Sequence, residues 1–330
     1  MFVRYRFWVP VIYIINFVYI NLLLSNLSLV MEEFREHKSE VDHIIKSGIA
    51  TINNEQVKEC LDYALTGGKR LRPIIILEMC RMFSIKQDIK NELVLLVEYL
   101  HNSSLILDDI PSMDDDRLRR GIPTFHIKYG VKTAYIITNY MINRALISLT
   151  NVVRQTHVLK KLAEYVFKSN NYTSIGQLVD LNGLNRDNID VYSNIIGFIL
   201  DNHFINEFST KFFSSDKEIF KRVILLNFKT FPLFYLSFQL PVLLADELSD
   251  KIIPTDDFIQ YISFIFSLSF QIADDFEDID CDKNSFILLL GKEMVRDIFY
   301  FCVEDFRKKT LFLDFKCLDY VFSLLNKKVV

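Results

Sequence analysis

From about Met31 onward no stretch alternates apolar and polar side chains, whereas apolar residues return at helical spacing throughout. That pattern leaves few options other than packed helices. Segments 86–107, 131–168, 217–245 and 255–280 each read as helix. The breaks between them are short: "TGGKRLRP" at 66–73, "GIPTFHIKYG" at 121–130, "SNNYTSIG" at 169–176, and the stretch around Pro254. With half the residues hydrophobic and only 9 Gly and 7 Pro, there are too few breakers for a turn-rich β protein. No internal repeat and no low-complexity linker divides the chain. The expectation is one all-α domain over residues 31–330, its helices apolar enough to be largely buried.

Residues 1–30 form a separate hydrophobic extension. Phe7 to Leu24 is almost uninterrupted apolar sequence behind Arg4 and Arg6, near the lower length limit for a spanning helix. The basic flank suits a signal or an anchor, and so a membrane association. Pro10, Asn16 and Asn21 weaken a spanning role. Met31 opens an ordinary amphipathic helix start, so the preceding residues equally read as an upstream segment outside the working protein. A cytoplasmic and a membrane-associated location both stay open. Cys60, Cys80, Cys281, Cys302 and Cys317 are scattered, with no C-x-x-C and no His at zinc spacing. They read as reduced core thiols rather than disulfides or a zinc site. A net charge of −4 supplies no footprint for nucleic acid.

The chemistry concentrates in "LILDDIPSMDDDRLRRGIPTFH", residues 105–126. Acidic clusters are usually solvated loops. Here an apolar run leads into Asp108 and Asp109, and Asp114, Asp115 and Asp116 precede Arg119 and Arg120. Crowded carboxylates repel unless a cation sits between them. Mg²⁺ takes one or two carboxylates together with phosphate oxygens. Arginines behind them suit phosphate, which a guanidinium grips with two hydrogen bonds. The local expectation is a Mg–diphosphate site at the end of an apolar helix.

A second acidic group, "SFQIADDFEDID" at 269–280, again follows an apolar run. Asp274 and Asp278 share a helix face one turn apart, with Asp275 beside them. Carboxylates near a helix C-terminus oppose the dipole and call for compensation. Two such helix ends suggest two walls of one cavity, with metal ions held between them on a bound diphosphate. "GGKRLRP" sets Lys69 and Arg72 behind two glycines that allow close backbone approach to phosphate. His101 lies seven residues before Asp108, on the same helix face. Lys229 and Thr230 interrupt an otherwise apolar helix, where a lone buried lysine is costly without a partner.

Together these segments resemble the trans-prenyltransferases, the family of farnesyl and geranylgeranyl diphosphate synthases, over roughly residues 31–300. "GGKRLRP" is similar to the family's first basic motif. "DDIPSMDDDRLRRGIPTFH" resembles its first Asp-rich motif in the longer form. "GQLVDL" at 176–181, "KT" at 229–230 and "FQIADDFED" at 270–278 follow in family order. The resemblance implies an isoprenoid-synthase-type helix bundle around a deep central cavity, usually dimeric. It implies that Asp108, Asp109 and Asp114, facing Asp274, Asp275 and Asp278, hold Mg²⁺, three ions with diphosphate bound. It further implies that Arg119, Lys229, Thr230 and Gln271 bind the allylic diphosphate. Lys69, Arg72, His101 and Arg120 would bind isopentenyl diphosphate. Asp108, Asp109, Lys229, Thr230 and Asp274 would carry the reaction. The implied activity is a head-to-tail condensation of isopentenyl diphosphate with an allylic diphosphate.

In such an enzyme the chain grows from Asp108 toward the N-terminus of its helix, and Ser103 and Ser104 would lie in the floor. A serine five residues before the first Asp, where farnesyl-producing relatives often carry an aromatic, implies a longer product, most simply geranylgeranyl diphosphate. A floor built by Tyr140 or Met141 would instead keep the product at farnesyl, and a longer polyprenyl product is the other alternative. Several features depart from the family pattern. "KTF" replaces "KTG", the helix after Gly130 lacks its Gly-Asp pair, and the Gly- and Lys-rich loop after Asp278 is nearly absent, with Lys283 as a candidate substitute. A terpene synthase of the same fold would not need Lys69, Arg72 and Arg120. A non-catalytic partner subunit is the non-enzyme alternative, though both Asp-rich motifs are intact.

Overall fold

The computed structural model describes residues 8–153, 156–183, 189–248, 253–277, 285–313 and 315–329. The side chains of 8–27, 190, 247 and 248 lie outside that description, and with them the apolar run Phe7–Leu24. Among the described residues no single helix is long and apolar enough to cross a membrane.

The long helix α1 (Trp8–Ala50) is followed by α2 (Glu55–Leu65), α3 (Leu71–Met82) and α4 (Gln87–Asp108). A two-stranded antiparallel hairpin, β1 (Leu118–Arg119) and β2 (Ile122–Pro123), leads into the short α5 (Phe125–Tyr129). Next come α6 (Val131–Val152), α7 (Thr156–Asn182), α8 (Ser193–Leu200), α9 (His203–Phe213) and α10 (Lys217–Asn227). The chain closes with α11 (Phe231–Leu248), α12 (Asp256–Glu277), α13 (Phe286–Leu290), α14 (Lys292–Thr310) and α15 (Lys316–Val329). The all-α expectation holds, with the hairpin the only sheet among the described residues.

Two helices are buried on nearly every side, and each serves two cores. From α11, Leu233, Leu236, Leu240 and Leu244 enter a cluster with α1, α4 and α6. Its opposite side, with Phe231, Phe234 and Phe238, enters a second cluster with α12, α14 and α15. In the same way α3 sends Ile74, Ile76 and Leu77 to the first and Leu71, Ile75 and Met79 to the second. A helix buried all round lies at the centre of a bundle, not on its surface. Much of the second core is aromatic. Phe264 and Phe266 of α12 and Phe299 and Phe306 of α14 are completely buried. Phe266 meets Phe306, Phe234 and Phe322 at 5.6, 5.1 and 5.4 Å between ring centroids, within the range that favours edge-on contact.

Three boundaries differ from the sequence reading. The segment 131–168 divides between α6 and α7 at Val153, which is extended, with 154–155 outside the described residues. "SNNYTSIG" is not a break but the middle of α7. Its small residues Ser169, Thr173 and Gly176 continue the buried face of Val166 and Val179, and Thr173 Oγ1 donates to the Ser169 carbonyl at 2.9 Å. Close packing on this face outweighs the weak helix preference of those residues. Finally, 217–245 is not one helix. It breaks at Phe228–Thr230, and α10 meets α11 at 71°. Both halves are apolar, so hydrophobic periodicity carries no sign of the bend.

Candidate active site

The last turns of α4 present His101, Ser104, Leu105 and Asp108 to a cavity of about 360 Å³. Their i, i+3, i+4, i+7 spacing explains how one helix face supplies all four. After Asp108 the chain doubles back, and the Asp114 N–H donates to the Asp108 carbonyl at 2.9 Å. This turn returns Asp114 toward the cavity, 3.8 Å from Lys229 Nζ. Asp109 takes a different direction. It is buried, and both of its oxygens accept from Arg119 Nε, at 2.7 and 2.9 Å. Arg119 also lies 3.7 Å from Asp116. Both Arg119 and Arg120 line the cavity.

The second wall is the loop from α2 into α3. Gly67 and Gly68 both have positive φ, at 75° and 93°. A Cβ on Gly68 would stand 2.9 Å from Arg120 Cζ, so this glycine makes room for a guanidinium. Arg120 donates to the Thr66 carbonyl at 3.0 Å and to Asn102 Oδ1 at 3.4 Å. The loop is anchored by the buried Arg70, which reaches Glu98 at 2.6 Å and Asp42 at 2.9 Å. Lys69 and Arg72 then face the cavity. Arg72 stacks over Phe234 at 4.2 Å and lies 3.3 Å from His101 Nε2. Its Nε is buried without a hydrogen-bond partner. A buried donor left unpaired is costly, and an anion in the cavity would relieve it.

Lys229 and Thr230, at the bend between α10 and α11, form the third wall. Here α7 makes the bend possible. A Cβ on Gly176 would stand 2.3 Å from Lys229 N, so only glycine lets α7 pack against this backbone. One turn further along α7, Asp180 Oδ2 accepts from Lys229 Nζ at 2.7 Å. The fourth wall is α12, with Phe270 and Asp274. Asp274 Oδ1 lies 3.8 Å from Lys69 Nζ and 3.1 Å from Lys328 Nζ of α15.

Not every expected residue reaches the cavity. Asp275 is buried and accepts from the Phe286 N–H at 2.6 Å, at the first turn of α13. Gln271 lies on α12 with Oε1 buried and unpartnered. Asp278 and Lys283 lie outside the described residues. Ser104 lines the cavity, whereas Ser103 is buried, donates to the Leu100 carbonyl at 2.8 Å and does not line it. Met141 is fully buried in the α4–α6 core and Tyr140 half-buried beside it. The structure adds Glu98, Asn102, Asp180 and Lys328, which the sequence reading gave no role. Asp180 stood inside the quoted "GQLVDL" and Glu98 three residues before His101. Both are charges on helices with apolar neighbours, which is the sign that was available.

The electrostatics divide the cavity. Burial pushes Asp108 up to about 6, with Asp114 and Asp109 adding to the effect and Lys229 and Arg119 opposing it. Burial also raises Asp109 and Asp114. On the facing side, burial pulls Arg72 down to about 10, against Glu98 and Asp274. Burial and the surrounding arginines hold His101 well below its ordinary value, so the imidazole is neutral. Burial disfavours the Lys229 ammonium, but Asp108, Asp180 and Asp114 more than offset it. Crowded hard oxygen donors whose ionised forms cost energy are a donor set that suits a divalent cation such as Mg²⁺. The opposite side offers cationic N–H donors to a phosphate.

The polyprenyl synthetase family model matches residues 54–198. Farnesyl diphosphate synthase of Escherichia coli is 45% identical over 84 residues, 25% of this chain and 28% of that protein. Geranylgeranyl diphosphate synthase of Pantoea ananas is 28% identical over 248 residues, 71% of this chain and 72% of that one. Among solved structures, a geranyltransferase from Legionella pneumophila superimposes with a TM-score of 0.70 at 21% identity, covering 92% of this chain and 98% of that one. The family-model match and these relatives support a trans-prenyltransferase family member. Its matches to the first four curated relatives span only 28%, 38%, 34% and 47% of their lengths. Within the trans-prenyltransferase pattern, the cavity walls coincide with the motif segments: "GGKRLRP", the two Asp-rich stretches, and "KT".

Proposed function

We propose that this chain is a prenyl diphosphate synthase that joins isopentenyl diphosphate head to tail to an allylic diphosphate. The observation that carries this reading is the meeting of both charge types in one cavity. Arg72, with its buried unpartnered Nε, stands beside Lys69, His101 and Arg120, and Asp108 and Asp274 line the same cavity from α4 and α12. In this reading Lys69, Arg72, His101 and Arg120 receive isopentenyl diphosphate. Arg119, Lys229 and Thr230 receive the allylic diphosphate, and Gln271, which does not line the cavity, stands behind them on α12.

Mg²⁺ would be held by Asp108, Asp114 and Asp274, with Asp109 and Asp275 behind them and Asp278 next in the motif; three ions would stabilise the departing diphosphate. The protein's own contribution is to position and to exclude water. Lys229, fixed by Asp180, places an ammonium where negative charge grows on the leaving group. The basic loop holds the second substrate's double bond within reach of the allylic carbon. Leu105, Leu233 and Phe270 form an apolar surround for the allylic cation, which keeps water from quenching it. The released diphosphate accepts the proton lost on forming the new double bond, so His101 can stay neutral throughout.

The product proposed is geranylgeranyl diphosphate, because the cavity-facing residue one turn before Asp108 is the small Ser104. A homodimer is supported by exposed apolar side chains along α6, Tyr135, Ile136 and Ile147. Membrane association through Phe7–Leu24 rests on its sequence alone.

The test incubates the full chain with Mg²⁺, labelled isopentenyl diphosphate and each allylic primer in turn, then separates the dephosphorylated products by length. A geranylgeranyl product supports the reading, and Ser104→Phe should then shorten it. A farnesyl product, or a ladder of longer ones, keeps the reaction and moves the floor away from Ser104. No turnover by the folded chain overturns the reading in favour of a partner-dependent subunit.

A further inference from the structure

Asn102 stands beside the cavity without lining it, on α4 between His101 and Ser103. It is 1% exposed. Its Nδ2 donates to the Glu98 carbonyl at 2.9 Å and to Glu98 Oε2 at 3.0 Å, one turn back on the same helix. Both amide hydrogens are therefore engaged. Glu98 offers only acceptors there, so a reversed amide would set oxygen against oxygen, and the orientation of Asn102 is fixed. Its Oδ1 is left to face the opposite way, toward Arg120 Nη2 at 3.4 Å. Glu98 in turn accepts from Arg70 Nη1 at 2.6 Å, and Arg70 also reaches Asp42 at 2.9 Å and the Leu65 carbonyl. A line of hydrogen bonds thus runs from the buried Arg70–Glu98 pair through Asn102 to a guanidinium in the cavity.

The far end of that line is held against its backbone preference. Arg120 and Gly121 are the two central residues of the β1–β2 hairpin, with φ of 55° and 79°. Positive φ at both places favours Asn-Gly, and an arginine in the first of them is strained. Such strain persists where surrounding contacts over-determine it, and it gathers at ligand sites. The contacts here are neutral: the Thr66 carbonyl at 3.0 Å and Asn102 Oδ1. Among the described residues no carboxylate forms an ion pair with Arg120. Arg119 differs, since Asp109 takes its Nε with both oxygens. Burial disfavours the Arg120 charge, and Glu98 is the leading group that restores it. An amide oxygen aims a guanidinium without cancelling its charge, whereas an aspartate in that place would aim it and cancel it.

We propose that Asn102 is a positioning residue for isopentenyl diphosphate, which aims the charged Arg120 at the diphosphate from the anchor of Arg70 and Glu98. The inference rests on the synthase reading for the identity of that anion. Asn102 touches no substrate. Its effect runs through Arg120, so it bears on the affinity for one substrate and leaves Lys229 and the allylic diphosphate alone.

The test titrates isopentenyl diphosphate into the full chain by calorimetry, then measures turnover with each substrate varied in turn. Asn102→Ala should weaken isopentenyl diphosphate binding about five- to tenfold, somewhat less than a hydrogen bond to a charged group usually gives, because this one is long. The KM for isopentenyl diphosphate should rise in step, while kcat and the KM for the allylic primer stay within about twofold. Asn102→Asp keeps the contact with Arg120 but sets a carboxylate in competition with the diphosphate, so it should weaken binding at least as much. In an Arg120→Gln background, Asn102→Ala should add nothing. Should Asn102→Ala fail to fold, Asn102→Ser takes its place: its hydroxyl can return to the Glu98 carbonyl, as Ser103 does to Leu100, and lacks the reach to Arg120. Unchanged binding in the folded variants, an equal loss for both substrates, or a full effect in the Arg120→Gln background overturns the proposal. So does an unaltered chain that binds no isopentenyl diphosphate. An unaltered chain that binds it, loses affinity in Asn102→Ala and yet forms no product overturns the synthase reading alone.

Discussion

Lys229 Nζ lies 2.7 Å from Asp180 Oδ2 and 3.8 Å from Asp114 Oδ2, so one ammonium joins α7 to the first Asp-rich segment. Asp180 lines no part of the cavity, and its effect runs through Lys229. It is a positioning residue. Asp180→Asn keeps the shape and removes the charge. A hydrogen bond to a charged group is worth about 1.5–3 kcal/mol. The expected result is a fall in kcat of roughly 10–100-fold with KM for isopentenyl diphosphate little changed. An equal rise in that KM would show that Asp180 acts on the other substrate.

Gly176 tests the same junction through its backbone. An added methyl would stand 2.3 Å from Lys229 N and 2.4 Å from the Phe228 carbonyl oxygen, both backbone atoms that cannot swing aside. Gly176→Ala should therefore part α7 from the bend. Overpacking of this kind costs about 1–3 kcal/mol. Thermal denaturation should show the loss. Activity should fall further than stability does, because Lys229 moves with the bend. A variant with wild-type melting and turnover would mean that the junction is loose.

The parts of this arrangement that the sequence revealed are those written in consecutive residues. "GGKRLRP" sets charge behind two glycines at a helix start, the Asp-rich stretches set it at helix ends after apolar runs, and the structure brings Lys69, Arg72, Asp108 and Asp274 to one cavity. Pairings across long separations left no such trace. Asp180 meets Lys229 across 49 residues, and Lys328 meets Asp274 across 54. The bend at Phe228–Thr230 joins two apolar helices, so hydrophobic spacing alone reads them as one. The α7 stretch failed in the opposite sense, because Ser169, Asn170 and Asn171 resemble a loop until the packed face beside Gly176 is known. Asp275 shows a finer limit. Two adjacent aspartates on a helix point about 100° apart, so only Asp274 can face the cavity while Asp275 is left to hold the start of α13.

His101 gives a signature in pH. Burial, with Arg72, Arg120, Arg119 and Arg70 nearby, holds its folded value well below 6.5. The unfolded chain therefore binds a proton at His101 that the folded chain refuses. Stability from this site is complete above the unfolded value and is lost as pH falls below it. His101→Gln, neutral at every pH, should flatten the decline in urea midpoint between about pH 7 and 5. An identical decline in both proteins would place the acid sensitivity elsewhere.

Lys328 offers a competition that can be measured. Its ammonium is 3.1 Å from Asp274 and 2.5 Å from Glu277, and Lys69 approaches the same Asp274 oxygen at 3.8 Å. A cation that takes Asp274 as a ligand must share or displace this contact. Removing the lysine charge should make the carboxylate more available, so the Mg²⁺ concentration for half-maximal turnover should fall in Lys328→Ala. Asp274 is 38% exposed at its side chain, which limits the size of the effect. Partly solvated pairs contribute up to about 1 kcal/mol, or roughly fivefold in metal concentration. A rise in the required Mg²⁺ would reverse the assignment, with Lys328 then helping to assemble the metal-bound site instead of competing for it.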